Sequence, residues 1–160
     1  MALTDFLDRI FGDKNEVTLK TCSVDGINNV YYKTLIVEAS VNLIAKTISR
    51  AELQTFEKGE ETKKINYYML NVEANKNKSA SLFWRETIEK LLKEGEALIL
   101  LQDNQMFLAD SFVRNEFAFK ENVYTEISIG DYPLGDTWKE SQVLYLKDDK
   151  SKISTAIKSI

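Results

Sequence analysis

The stretch from Ser79 to Ser111, SASLFWRETIEKLLKEGEALILLQDNQMFLADS, constrains the fold more than any other part of the chain. Ser79 suits a helix N-cap, because its hydroxyl can accept a bond from a free N–H of the first turn. Leu82, Phe83, Ile88, Leu91 and Leu92 recur at helical spacing beside Trp84, while Arg85, Glu86, Glu89, Lys90 and Lys93 fill the other side. Gly95 then ends the helix where a positive φ is wanted. Ala97–Gln102 is a short apolar run, Asp103-Asn104 a turn, and Met106–Ala109 a second run. The block therefore reads as one helix feeding a β-hairpin, and nothing in its pattern is chemically reactive.

Around this block the chain has room for one ordinary domain, with 160 residues of which 44% are apolar. The first 30 residues read as an arm. Within it Ala2–Phe11 is a short amphipathic helix, with Leu3, Phe6, Leu7, Ile10 and Phe11 on one side and Gly12 at its end. Its polar side sets Asp5 and Asp8 against Arg9 alone, whereas membrane-surface helices favour Lys and Arg, so it is expected to pack on its own domain or a neighbouring subunit, not a membrane. A strand fits at Val17–Thr21, and Asp25-Gly26 and Asn28-Asn29 are turn pairs. Residues 31–160 read as a single α+β domain, truncated at its C-terminal end.

In that domain Tyr31–Arg50 predicts a helix with an apolar stripe of Leu35, Ile36, Ala39, Leu43, Ile44 and Ile48. Small Ala39, Ser40 and Ala45 would let another element approach closely. Glu57–Glu60 is a hairpin turn with a return strand near Glu61–Ile65. Tyr67–Val72 is a short helix or strand, and Glu73–Lys78 a polar loop. Phe112–Phe119 and Val123–Ile129 alternate as strands, the second with Val123, Thr125, Ile127 and Ile129 against Tyr124, Glu126 and Ser128. Gly130–Asp136 reads as a loop, Thr137–Ser141 as a polar link, Val143–Leu146 as a strand, and Asp148–Ile160 as a helix whose apolar side ends on Ile160. The short turns between strands leave no room for crossovers, so helices packed on antiparallel hairpins and sheet are expected.

Composition removes most chemistry. The chain has no histidine and one cysteine, Cys22, which excludes histidine-based nucleophile systems, an internal disulfide and ordinary zinc spacing. The carboxylate groups Glu57/Glu60/Glu61, Glu94/Glu96 and Asp148/Asp149 lack apolar surroundings that would tune them for acid–base work. Glu94 and Glu96 straddle a helix end and point apart. The six glycines are isolated, so no nucleotide-binding loop is present. No catalytic, cofactor-binding or metal-binding residue is predicted, and no cofactor. Net charge is −4, and Lys63-Lys64 is the longest basic run, which argues against a nucleic-acid grip. Phe83-Trp84, Tyr67-Tyr68, Phe117/Phe119 and Trp138 fall at core spacing and read as core or subunit interface. No run of roughly 18 apolar residues occurs, so no membrane helix is expected. Asp5 and Asp8 break any leader pattern, so an intracellular chain is expected.

Several segments, in order, resemble a known family. They are F-L-D-R-I-F-G at Phe6–Gly12 and A-S-V-N-L-I-A-K-T-I-S at Ala39–Ser49. Next come Asn71–Asn75, with Ala74 where proline is usual, and the helix start Ser79–Trp84. Gly95-Glu96-Ala97 and Ser141–Tyr145 follow, with Tyr145 where histidine is usual. Together they resemble the N-terminal wing portion of the portal protein, the head–tail connector of long-tailed, siphovirus-type bacteriophages. The resemblance implies a wing-like fold and a structural subunit of a homo-oligomeric ring at one capsid vertex, through which DNA is packaged and ejected. It implies terminase, capsid protein and head–tail adaptor as partners of the full protein, and no enzymatic activity. The implied location is the virion, with the host cytoplasm during assembly. Family members are longer, so the channel helix is expected beyond Ile160 and DNA is not a partner of this region. The alternative readings are a stand-alone protein-binding module, such as a truncated portal relative or a phage or host regulator, and an enzyme, for which the sequence offers no residues.

Overall fold

The computed structural model describes residues 27–148. The expected helix over Ala2–Phe11, the strand at Val17–Thr21 and the helix running on from Asp148 lie outside these residues. In chain order the elements are α1 (Ile27–Ile48), β1 (Phe56–Glu57), β2 (Glu60–Glu61), α2 (Ile65–Asn71), β3 (Glu73–Asn75) and β4 (Lys78–Ser79). There follow α3 (Ala80–Glu94), β5 (Glu96–Gln102), β6 (Gln105–Leu108), β7 (Ser111–Asn115), β8 (Val123–Ile129), β9 (Tyr132–Leu134), β10 (Trp138–Lys139), a 3-10 turn (Glu140–Gln142) and β11 (Val143–Lys147). Every strand pairing is antiparallel, and the fold is α+β as its sequence implies.

The central block forms as its local signals dictate. The Ser79 hydroxyl accepts from the Leu82 N–H, and Gly95 closes α3 at φ 87 with its N–H on the Leu91 carbonyl. Asp103 and Asn104 both take positive φ, 52° and 57°, the hairpin geometry that matches strand twist, and so join β5 to β6. Ala97, Leu98, Ile99 and Leu100 are all buried. An unbroken apolar run of this kind means a strand covered on both faces. On one face Ile99 joins Phe83 of α3, Met69, Ala74 and Met106. On the other, Leu98 and Leu100 meet Ala109, Tyr124 and Ile127. Phe83 is fully buried, which stabilises by about 1.5–3 kcal/mol. Leu82, expected on the same side, is exposed, and the buried line of α3 runs Ala80, Phe83, Thr87 instead. The Thr87 hydroxyl satisfies itself on the Phe83 carbonyl at 2.8 Å.

The sheet order is β11-β5-β6, facing a second sheet in which β8 is central. One edge of β8 carries β7, and the other carries β9 and β10 along different halves. Two expected connectors are therefore short strands. Pro133, in β9, sits where an edge strand tolerates a residue without an N–H. The expected alternation of β8 also fails at one point. Its register against β7 slips between Ser111 and Val113, and Glu126 takes φ 52. This β-bulge inserts one residue, so Tyr124 and Ile127, three apart, are both fully buried. Strict alternation had put Tyr124 on the polar side.

The largest correction concerns α1. Of its expected stripe, Ile36 and Leu43 are 64% and 67% exposed, and Leu35 and Ile48 are exposed too. The buried residues are Val41, Ala45 and, just past the helix, Ser49. At 100° per residue these lie opposite Ile36 and Leu43. The helix is apolar on two opposite faces, and the face with smaller side chains is the one that packs. It contacts α3, where Arg85 donates to the Asn42 side chain at 3.3 Å. The β1–β2 hairpin forms around Lys58 and Gly59, both at positive φ, but β2 is shorter than expected and Ile65 already begins α2. Glu73–Lys78, expected as a loop, is largely the β3–β4 hairpin.

Candidate interaction surfaces

Two of the segments that carry the family resemblance, Asn71–Asn75 and Ser79–Trp84, meet at the N-terminal end of α3, while Gly95–Ala97 lies at its other end and Phe6–Gly12 outside the described residues. Asn71 clamps the chain before β1: the Leu53 N–H donates to its Oδ1 at 2.7 Å, and its Nδ2 donates to the Leu53 and Tyr67 carbonyls. Asn75 is buried, donates to the Met106 carbonyl at 2.8 Å and accepts from the Asn77 N–H. Ala74 is fully buried in the core, and Trp84 donates its indole N–H to the Leu70 carbonyl at 2.9 Å. These are structural roles. They tie α2 to the segment before β1 and to α3, and the β3–β4 hairpin to β6. The individual roles of Asn71 and Asn75 escaped the sequence reading, because a polar residue in a turn looks the same whether its side chain is solvated or buried.

A second polar cluster lies between the sheets. Arg114 of β7, Tyr124 of β8 and Trp138 of β10 occupy successive cross-strand positions, so their side chains share a face. The Arg114 guanidinium lies 4.6 Å from the centre of the Tyr145 ring, and it is ion-paired to Glu116 and, at 3.6 Å, to Glu140. Tyr145 donates to Glu96 at 2.8 Å. Burial, helped by that carboxylate, pushes the Tyr145 phenol up to about 12. Burial raises Tyr124 as well, against the opposing pull of Arg114. Arg114 Nε, the Tyr124 hydroxyl and Trp138 Nε1 are buried with no protein partner among the described residues. The groups are a guanidinium, two phenols, an indole and carboxylates already engaged. They make an ionic and aromatic knot between sheets, with no nucleophile in it.

The carboxylate groups singled out in the sequence form no buried set, although Glu57 and Glu60 stand opposite each other in the exposed β1–β2 hairpin. Glu57 pairs with Lys64, and Glu60 and Glu61 are exposed on the β2 edge. Glu94 pairs with Lys90, while Glu96 accepts from Tyr145, so these two do point apart. Asp149 lies outside the described residues. A cleft lined by Lys78, Glu86, Lys90, Lys93, Glu94 and Asp110 opens beside α3. Apart from Lys93, these charges are engaged locally: Lys78 meets Glu86, Lys90 meets Glu94, and the Asp110 carboxylate takes the Gly130 N–H. Among the described residues no group of three or more candidate ligands could hold a metal ion.

What the surface offers instead is apolar area. Tyr32, Leu35, Ile36 and Leu43 line the outer side of α1. Phe56, Ile65, Tyr68 and Val72 form exposed apolar surface on β1, on α2 and just after it. Phe119 is fully exposed in the β7–β8 connection, with Phe117 partly so and Tyr132 exposed in β9. This corrects the expectation that Phe119 belongs to a strand. β7 ends at Asn115, and only Phe83, Trp84 and Trp138 of the aromatic groups contribute to the core. Among the described residues no helix is long and apolar enough to cross a membrane.

Comparison with known proteins gives one family. The model of the family described as phage portal protein matches residues 35–158. No curated protein matches the chain. The matched region begins within α1, includes every motif from Ala39 onward, and covers most of the chain. The chain therefore belongs to the phage portal protein family, and its role is portal-related and structural.

Proposed function

We propose that this chain is the wing portion of a portal subunit, which joins copies of itself into a ring at one capsid vertex, connects head to tail, and surrounds the path by which DNA enters and leaves. The observation that carries this reading is the family match across residues 35–158. Residues 31–160 act as one domain and residues 1–30 as an arm on it. The channel-forming elements belong to a longer natural subunit, and this region itself does not grip DNA, in keeping with its net charge of −4. The subunit performs no catalysis. Terminase, capsid protein and the head–tail adaptor are the proposed partners of the assembled ring, in the virion and, during assembly, in the host cytoplasm.

A ring needs two unlike surfaces that meet head to tail. The exposed apolar side chains Phe56, Ile65, Tyr68 and Val72 and, in the β7–β8 connection, Phe117 and Phe119 lie on different elements and would supply such a pair. Labelling phage particles with an antibody against this chain tests the reading. Label at a single vertex is expected. Label at every vertex, or none on particles whose tails are removed, overturns it.

A further inference from the structure

We infer that the outer apolar face of α1 is the docking site of the chain's own N-terminal segment, Leu3–Phe11. Tyr32, Leu35, Ile36, Ala39 and Leu43 recur at helical spacing on that face, opposite the Val41 and Ala45 seam that packs on α3. All five are exposed. A helix face of this kind in water asks for a cover, because taking apolar surface out of water is favourable in proportion to the area removed.

The N-terminal segment matches the face in length, reach and apolar pattern. Its apolar residues Leu3, Phe6, Leu7, Ile10 and Phe11 share one side at helical spacing. As a helix it would run about 12 Å, against about 17 Å from Tyr32 to Leu43. The connection from Gly12 to Ile27 can extend to roughly 50 Å, so the segment can fold back along the whole face. Lys33, Glu38 and Lys46 border the face, and the segment keeps Asp5, Asp8 and Arg9 on its polar side, so its charges stay in water when its apolar side docks. The other apolar segment outside the described residues, 149–160, carries Lys150, Lys152 and Lys158 against Asp149 alone, so its net positive charge suits a face bordered by Lys33 and Lys46 less well. A second copy of the chain competes poorly, since a tether of this length holds the segment at an effective concentration of about millimolar.

This reading goes beyond the ring and does not rest on it. The full chain carrying Cys22→Ser provides the test, with cysteines introduced as Leu7→Cys and Ala39→Cys. A control pairs Leu7→Cys with Asp131→Cys, an exposed turn position elsewhere. Under dilute oxidising conditions, the first pair is expected to close within one chain at least about tenfold faster than the control. Adding Phe6→Asp should bring it down to the control rate. Hydrogen exchange over residues 31–43 gives an independent readout, with protection expected in the full chain and lost when residues 1–12 are deleted. Equal rates for the two pairs, or cross-links that form between chains, overturn the proposal. Unchanged exchange on deletion overturns it as well. A faster partnership of Ala39→Cys with Ile157→Cys assigns the face to the C-terminal segment instead.

Discussion

Asn75, Gly95 and Tyr145 each hold the fold through one identifiable contact. Asn75→Ala leaves the Met106 carbonyl buried without its donor, so it should cost about 1–3 kcal/mol, read as a lower urea midpoint at unchanged slope. Gly95→Ala meets no atom within 4 Å, so its cost is the left-handed backbone alone, about 1–2 kcal/mol. Tyr145 titrates in the folded protein near 12, above its ordinary 10, so its contribution is complete below about pH 10 and is lost as pH rises toward 12. Denaturation midpoints measured across the alkaline range should fall in that window, and Tyr145→Phe should flatten the fall. The caps at Ser79 and Gly95 were legible in the sequence because a cap is satisfied within one helical turn. Asn71 and Asn75 were not, because their partners lie 18 and 31 residues away along the chain.

At the scale of elements, the central helix and the hairpin after it followed from local pattern, and β8 and α1 did not. In β8 the bulge at Glu126 shifts the inward face by one residue, a change that depends on pairing with β7. Glu126 holds a positive φ that glycine adopts without strain. Glu126→Gly should therefore leave stability unchanged or raise it by up to about 1 kcal/mol. Deleting Glu126 should instead restore plain alternation, leaving Tyr124 and Ile127 two apart on the same inward face with cooperative unfolding retained. In α1 both faces satisfy helical periodicity, and the choice between them is made by how closely α3 approaches. Ala45 is fully buried at that approach, so Ala45→Leu should overpack it and cost about 1–3 kcal/mol by thermal or urea unfolding. Pattern alone favours the larger side chains of Leu35, Ile36 and Leu43, which is why the face that packs could not be read from the sequence.

For the molecule as a whole, the polar networks serve structure: Asn71 ties α2 to the segment before β1, Asn75 ties the β3–β4 hairpin to β6, Trp84 ties α3 to α2, and Arg114 ties the two sheets together. The conspicuous surface is apolar rather than catalytic. In the proposed assembly, exposed apolar surfaces on different elements meet neighbouring copies, and the outer face of α1 receives the chain's own N-terminal segment. The absence of histidine made the lack of a histidine-based catalytic set readable from the sequence, and the ordered motifs from Ala39 to Tyr145 made the family readable. The patches themselves were hidden, because an exposed Phe119 and a buried Phe83 look alike until the strands are paired. The account turns on assembly, and electron microscopy of the protein expressed from its full natural reading frame tests it most directly. It predicts closed rings viewed end-on, disrupted to smaller species by Phe56→Asp together with Tyr68→Asp. A particle that stays monomeric at every concentration contradicts it.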